Sequence, residues 1–298
     1  MFKPYGMIPA LPTPFKENGE INFEGLESNI EHVIDGGVHC LLSLGSAGEY
    51  SLMTLEERKQ IIKFVAEKNN KRKPLMVGTS CHPTEDTIKL SQYAEECGAD
   101  CVLVLPPYYM QTDEKGIKNY YEEITKNLNI GVVIYHYPEG TNVELSPEFI
   151  KELSEIPGIV GIKNTIDQMH TNKLVNLTKD NPDFSVLTGF EQLILPTLSI
   201  GGKGAVGLAM NIVPKQYVKM HDNFVSANNK VASEYNHILT QLIDLLEEEP
   251  PPAAVKVGLD FINLYGGTPR KPLLPATENL KERVKNKIIE VQSFEITQ

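Results

Sequence analysis

The sequence lacks the features that mark several broad classes of protein. Its four cysteines (Cys40, Cys81, Cys97, Cys101) form no C-x-x-C pair and have no histidine partner at zinc-ligand spacing. That excludes a disulfide framework and points to reduced, mostly buried thiols, with no metal expected. No apolar run reaches the ~18 residues of a membrane helix, and the opening MFKPYGMIPALPTPF has no continuous apolar core of the signal-peptide kind, so a cytoplasmic protein with no membrane partner is expected. Positive charge is also short: 28 Lys and Arg against 39 Asp and Glu give a net charge of −11, and no basic run is present. Nucleic acid and anionic membrane surfaces are therefore disfavoured as partners. With 41% hydrophobic and 22% charged residues in 298, the composition excludes disorder, collagen and coiled coil.

What is present is a rhythm. Short apolar, β-branched runs alternate with longer amphipathic stretches, separated by Gly, Pro, Asn or Asp. The runs are MIPALPT, HCLLSLG, PLMVGTS, CVLVLP, GVVIYH, IVGIK, FSVLTG and GAVGL, eight strands in all. Helix starts are signalled by Asn22, by Thr54 with Glu57 three residues on as a capping box, and by Ser146-Pro147 with Pro at the first helical position. Eight near-equal strand-then-helix units predict a (β/α)8 TIM barrel. A doubly wound open sheet is the competitor, but no G-x-G-x-x-G follows the first strand. Beyond residue 228 strands stop and helical patterns continue, so residues 1–228 are expected to form the catalytic barrel and 229–298 a C-terminal helical region packed on it. EEEPPP (247–252) reads as a turn between helices.

In such a barrel the C-terminal strand ends carry the active site. Lys163 ends the apolar run that starts at Ile159, so its amine is expected to project from a dry strand end. An amine taken out of water is neutral more of the time and attacks a ketone to form a Schiff base. Tyr135 ends the preceding strand, on the adjacent stave, and its phenol is positioned to shuttle protons, with Ser46 or Tyr109 as the relay to water. Gly45-Ser46-Ala47-Gly48 joins a strand to a helix, and small residues there let backbone N–H groups at a helix N-terminus receive a small carboxylate. Gly201-Gly202-Lys203-Gly204 precedes its strand, at the wrong end for a phosphate loop, and reads as a turn. His136 alternates to the other side of its strand from Tyr135 and is expected to be structural.

The combination of GSAGE, Pro107-Tyr108-Tyr109, Tyr135 with Pro138, Gly161-Ile162-Lys163, Thr13-Pro14-Phe15 and Arg270-Lys271-Pro272-Leu273-Leu274-Pro275 resembles the dihydrodipicolinate synthase and N-acetylneuraminate lyase family over nearly the whole chain. The resemblance implies a class I, Schiff-base-forming pyruvate aldolase, lyase or dehydratase with no metal and no organic cofactor, and a homotetramer. It implies Lys163 as the residue that forms the imine with pyruvate or a 2-oxo acid, and Tyr135 as the acid/base. Ser46 and Tyr109 would form the relay, Tyr109 reaching across from a neighbouring subunit. The N–H groups of Ser46 and Ala47 would hold the pyruvate carboxylate, and Val206 would line the site through its main chain.

Departures from the family pattern bear on the second substrate. Where the synthases carry an arginine two residues after the strand-five proline, this chain has Gly140, and where they have a second threonine it has Ala47. Sialic-acid lyases tend to have Asp-Glu after the strand-seven glycine and a serine after strand eight; here Gly189 is followed by Glu191-Gln192 and the later position is Leu208. Thr165 after Lys163-Asn164 is similar to the lyases and the 2-keto-3-deoxy sugar-acid aldolases. The expected activity is therefore carbon–carbon cleavage or dehydration of a 2-oxo sugar acid or an N-acetylneuraminate-like substrate, with pyruvate and an aldehyde as partners. True dihydrodipicolinate synthase is the alternative, and a non-catalytic 2-oxo-acid binder is the alternative of another class.

Overall fold

The computed structural model describes residues 1–294. Its strands are β1 (Gly6–Pro9), β2 (Leu41–Ser43), β3 (Leu75–Gly78), β4 (Cys101–Val104), β5 (Gly131–His136), β6 (Ile159–Asn164), β7 (Ser185–Thr188) and β8 (Gly204–Gly207). Six lie inside the apolar runs, while β1 and β6 each extend one residue beyond theirs, to Gly6 and Asn164, and every strand residue is buried, as strands covered on both faces must be. The sheet order is β1-β8-β7-β6-β5-β4-β3-β2. Its two ends are themselves joined, because His39 N–H donates to Met7 O at 3.0 Å and Leu11 N–H donates to Leu42 O at 2.9 Å. With helices between successive strands, this is the ring of a (β/α)8 TIM barrel.

The local signals act as their chemistry predicts. Asn22 Oδ1 accepts from Gly25 N–H at the start of helix Phe23–Asp35, Thr54 and Glu57 complete a capping box on Leu55–Asn69, and Ser146 caps Pro147–Leu153. After β8 come helices Pro214–Val225, Asn229–Leu246, Ala253–Phe261 and Glu278–Ser293. Along Asn229–Leu246 the buried Ala232, Tyr235, Leu239, Leu242 and Leu246 make one apolar stripe, and Leu280, Val284, Ile288 and Val291 make another on the last helix. No helix among the described residues is long and apolar enough to cross a membrane.

Contacts divide the chain into two compact units. One comprises Met1–Gly6 with Pro74–Val206; the other comprises Met7–Lys73 with the segment from Gly207 onward. The first holds β3 to β7 and most of the residues singled out above, and the second holds the GSAGE segment and the C-terminal helices.

Candidate active site

In the first unit, β5 and β6 pair in parallel with Tyr135 opposite Lys163 and His136 opposite Asn164. Side chains alternate along a strand, so the first pair projects to one face and the second to the other. Lys163 is 7% exposed, and its Nζ lies 4.1 Å from the centroid of the Tyr135 ring. A strand-end lysine is ordinarily solvated or paired with an acid; this one is neither, since no carboxylate forms an ion pair with it among the described residues. The negative face of the Tyr135 ring attracts the Lys163 side-chain nitrogen electrostatically.

Two further site residues join this pair. A Cβ built on Gly189 would stand 2.0 Å from Thr165 Oγ1 and 3.1 Å from Lys163 Cε, so only glycine lets the three approach one another. Gly189 N–H donates to Asn164 O at 3.0 Å, which fixes that approach. Thr165 is buried, and its Oγ1 has no hydrogen-bond partner among the described residues. Glu191 is buried just beyond Gly189, and Val206 is buried in β8. Tyr109 does not join them. It is 86% exposed on the segment after β4, with a left-handed backbone (φ 67°), beside the equally prominent Met110.

Tyr137 was not singled out from the sequence, although its spacing of two from Tyr135 places it on the same side. Its ring stacks on that of Tyr135 at 5.8 Å, with 7° between the planes. A Cβ on Gly140 would lie 2.3 Å from Tyr137 Cε1. A side chain at position 140 therefore requires this ring to move.

Behind the strand ends, His136 and Asn164 are wholly buried. Leu145 N–H donates to His136 Nε2 at 3.0 Å, so the proton sits on Nδ1, which donates to Asn164 Oδ1 at 2.8 Å. Asn164 Nδ2 donates to Thr171 Oγ1 at 3.1 Å and to His170 Nδ1 at 3.2 Å, and His170 Nε2–H returns to Leu145 O at 2.9 Å. Burial, reinforced by His170 and opposed by the Asn164 bond, lowers His136 to about 4. It is neutral at pH 7 and faces away from Tyr135, as its place in the strand predicts.

In the second unit the GSAGE segment departs from expectation. Ser46–Gly48 and Tyr50–Leu52 are two single 3₁₀ turns, and the α-helix begins only at Leu55. The helix that starts at Ser46 and Ala47 is therefore a single 3₁₀ turn instead of an α-helix. The interruption is Glu49, left-handed at φ 58°, whose buried carboxylate is taken by Lys256 Nζ at 2.7 Å and by Arg270 N–H at 2.7 Å. Lys256 Nζ also donates to Thr13 O at 2.8 Å, and Thr13 Oγ1 donates to Gly48 O at 2.9 Å. Arg270 pairs with Glu57 and stacks 4.2 Å above Phe15. Three separated motifs thus meet in one charged cluster. Burial lowers Lys256, with Glu49 opposing the shift, and the Arg270 hydrogen bond is the main cause holding Glu57 down at about 2. Ser46 is exposed and Ala47 buried, and Leu208 precedes the turn Ala209–Asn211.

One trio of potential metal ligands gathers among the described residues: His39, His221 and Asp222, within 4.8 Å. His39 Nδ1 accepts from Met7 N–H at 3.0 Å, which keeps the proton on Nε2, and His221 Nδ1 already faces Asp222 at 3.2 Å. His39 is thus tied to a group outside the trio. A cavity of about 450 Å³ lies below the N-terminal end of β6, against Pro157 and Gly158, and contains none of the site residues.

Comparison with known proteins places this geometry. Residues 3–291 match the dihydrodipicolinate synthetase family. A 4-hydroxy-tetrahydrodipicolinate synthase of Methanococcus aeolicus is 35% identical over 96% of this chain and 98% of its own length, and one of Acetivibrio thermocellus is 36% identical over 93% of each. Among solved structures, a prophage protein of the dihydrodipicolinic acid synthase family from E. coli K12, in complex with pyruvate, superposes with a TM-score of 0.93 at 29% identity, covering 97% of this chain and 98% of that one. The dihydrodipicolinate synthase of Thermotoga maritima gives 0.93 at 31%, covering 98% and 99%. The chain belongs to the dihydrodipicolinate synthetase family and is a pyruvate-dependent lyase of the aldolase type.

Proposed function

We propose that Lys163 forms an imine with pyruvate and that the resulting enamine joins an aldehyde. The carrying observation is a buried lysine amine against the face of Tyr135 with no acid partner among the described residues. The amine adds to the 2-oxo carbon and water leaves; loss of a C3 proton gives the enamine, whose C3 bonds to the aldehyde carbon while the new alkoxide takes a proton. Water then releases the product and regenerates the lysine. The imine is itself the electron sink, so this scheme calls on neither a metal nor an organic cofactor. Tyr135 is the proton carrier, with Ser46 and Tyr109 as its relay. Ala47 and Ser46 serve the pyruvate carboxylate, and Thr165, Gly189, Glu191, Val206 and Leu208 serve the remainder of the substrate.

The relatives' names support the synthase better than the sugar-acid cleavage expected from the sequence. A 4-hydroxy-tetrahydrodipicolinate contains pyruvate's carbons plus those of a four-carbon amino-acid semialdehyde, which is the aldehyde this reading requires. Cleavage of a 2-keto-3-deoxy sugar acid or an N-acetylneuraminate-like compound keeps one specific support: Tyr137 occupies the room that a cation at position 140 needs. The exposed Tyr109 and Met110 suit contact with a second copy in a homotetramer, and four free cysteines suit a reducing cytoplasm.

The test is intact mass after pyruvate and borohydride, with a peptide map, followed by turnover of the semialdehyde and of the sugar acid. A pyruvate-derived adduct on Lys163 supports the Schiff base, and the faster substrate decides between the two readings. A protein that binds pyruvate but yields no adduct would be the non-catalytic binder.

A further inference from the structure

The ring of hydrogen bonds behind the strand ends shares its rungs with the reacting pair. Tyr135 is followed by His136 and Lys163 by Asn164, and the two pairs occupy successive rungs of the β5–β6 ladder. The His136–Asn164 bond therefore clamps the rung immediately next to the one that sets the spacing of Tyr135 and Lys163. The clamp is not an isolated pair. Leu145, which lies between the helices Pro138–Thr141 and Pro147–Leu153, gives its N–H to His136 and its carbonyl to His170, while Asn164 bonds both rings and Thr171.

Every donor in this ring meets an acceptor, and only one tautomer of each histidine satisfies it: Nδ1–H for His136 and Nε2–H for His170. Asn164 is also tied through its own carbonyl to Gly189 N–H, the glycine whose bare Cα lets Thr165 and Lys163 approach. Two strand ends, one loop and the start of the helix Gln168–Thr178 are thus held through Asn164. The ring contains no carboxylate and no Lys or Arg, and His136, lowered to about 4 chiefly by burial, is neutral at pH 7. A carboxylate in the same place would favour the ammonium form of Lys163 and oppose its attack on a ketone.

We infer that His136 and Asn164 are positioning residues, which act through Tyr135 and Lys163 to hold amine and phenol at the separation that imine formation needs. The inference rests on the Schiff-base reading of Lys163. His136→Leu removes donor and acceptor together, whereas His136→Gln keeps one of each on a planar amide. His170→Leu opens the ring on its half-buried side and spares the strands.

The experiment measures the rate at which pyruvate is trapped on Lys163 by borohydride, alongside kcat and KM for pyruvate, with every variant assayed below its own unfolding temperature. His136→Leu is expected to slow trapping and kcat by about 10- to 100-fold with KM for pyruvate within a few-fold. His136→Gln should recover most of the rate, and His170→Leu should show a smaller loss of the same kind. A folded His136→Leu or His170→Leu variant that traps pyruvate at the original rate, losing only thermal stability, would overturn the inference while leaving the Schiff base intact. Should His136→Leu not fold, His170→Leu decides by the same criterion. Absence of any Lys163 adduct in the unaltered protein would overturn both readings.

Discussion

The two compact units hold their functional segments by opposite means. Around β5 and β6 the supporting groups are hydrogen-bonding ones: an amide, two imidazoles, the Thr171 hydroxyl and backbone. Around the GSAGE segment they are charged: Glu49 on Lys256, and Arg270 on Glu57. The difference follows from what each must support. A lysine proposed to react as an amine is best positioned without a carboxylate beside it, whereas a loop made of two short turns has little hydrogen bonding of its own and is held by long charged side chains from distant segments. A buried ion pair is a poor source of net stability but is costly to break on one side.

The largest expected effect breaks the hydrogen-bonded side at its centre. Lys163→Ala should leave the fold intact and abolish the pyruvate adduct, read by intact mass; full turnover in that variant would end the Schiff-base mechanism. Next is Tyr135→Phe, expected to slow turnover by roughly 10² to 10⁴. Unchanged kinetics would assign the phenol to packing against Tyr137.

On the charged side, Lys256→Met should cost about 3 to 5 kcal/mol in denaturant unfolding, because Glu49 is left buried without its cation. Adding Glu49→Gln should restore part of that loss, and a double variant no better than the single one would show that Lys256 matters for shape alone. By contrast, Arg283→Gln cuts the exposed pair with Glu248 and should leave the denaturant midpoint almost unchanged.

Acid separates the two kinds of support. His136 is lowered from 6.5 to about 4, chiefly by burial, and so is His39 in the second unit. Below 6.5 the unfolded chain takes up these protons first, so their contribution is complete above that pH and is lost as pH falls towards 4. Each histidine adds a slope of about 1.4 kcal/mol per pH unit inside the window. Glu57 behaves as a depressed carboxylate: its contribution is complete above 4.5 and is lost as pH falls to about 2. Unfolding free energy measured against pH should therefore decline first through the histidine window, and His136→Gln should flatten that first decline by one proton. An unchanged slope would mean that His136 is not the group that titrates there.

The fold was legible because its signal is local. Eight buried parallel strands read as continuous apolar runs, and Asn22, Thr54 with Glu57, and Ser146-Pro147 mark helix starts through contacts spanning only a few residues. Lys163 and Tyr135 were legible because each ends such a run. The ring through Leu145 and His170 was not, because its members are joined by sheet register and loop path instead of spacing. Glu49 was read as part of a motif, but its partners lie more than two hundred residues away. The helix starting at Ser46 stops after one 3₁₀ turn where Glu49 is left-handed and meets Lys256 and Arg270, and no short-range pattern carries that contact.

By itself, then, the sequence determined the alternation of strand and helix, the strand ends and the chemical types found there, since hydrophobic period and capping act within a few residues. Only the tertiary structure decided that Lys163 meets a ring instead of an acid, that Tyr137 occupies the room beside Gly140, and that His136 answers to Asn164. Those outcomes depend on which residues parallel pairing sets side by side and on what burial then requires of every polar group left there.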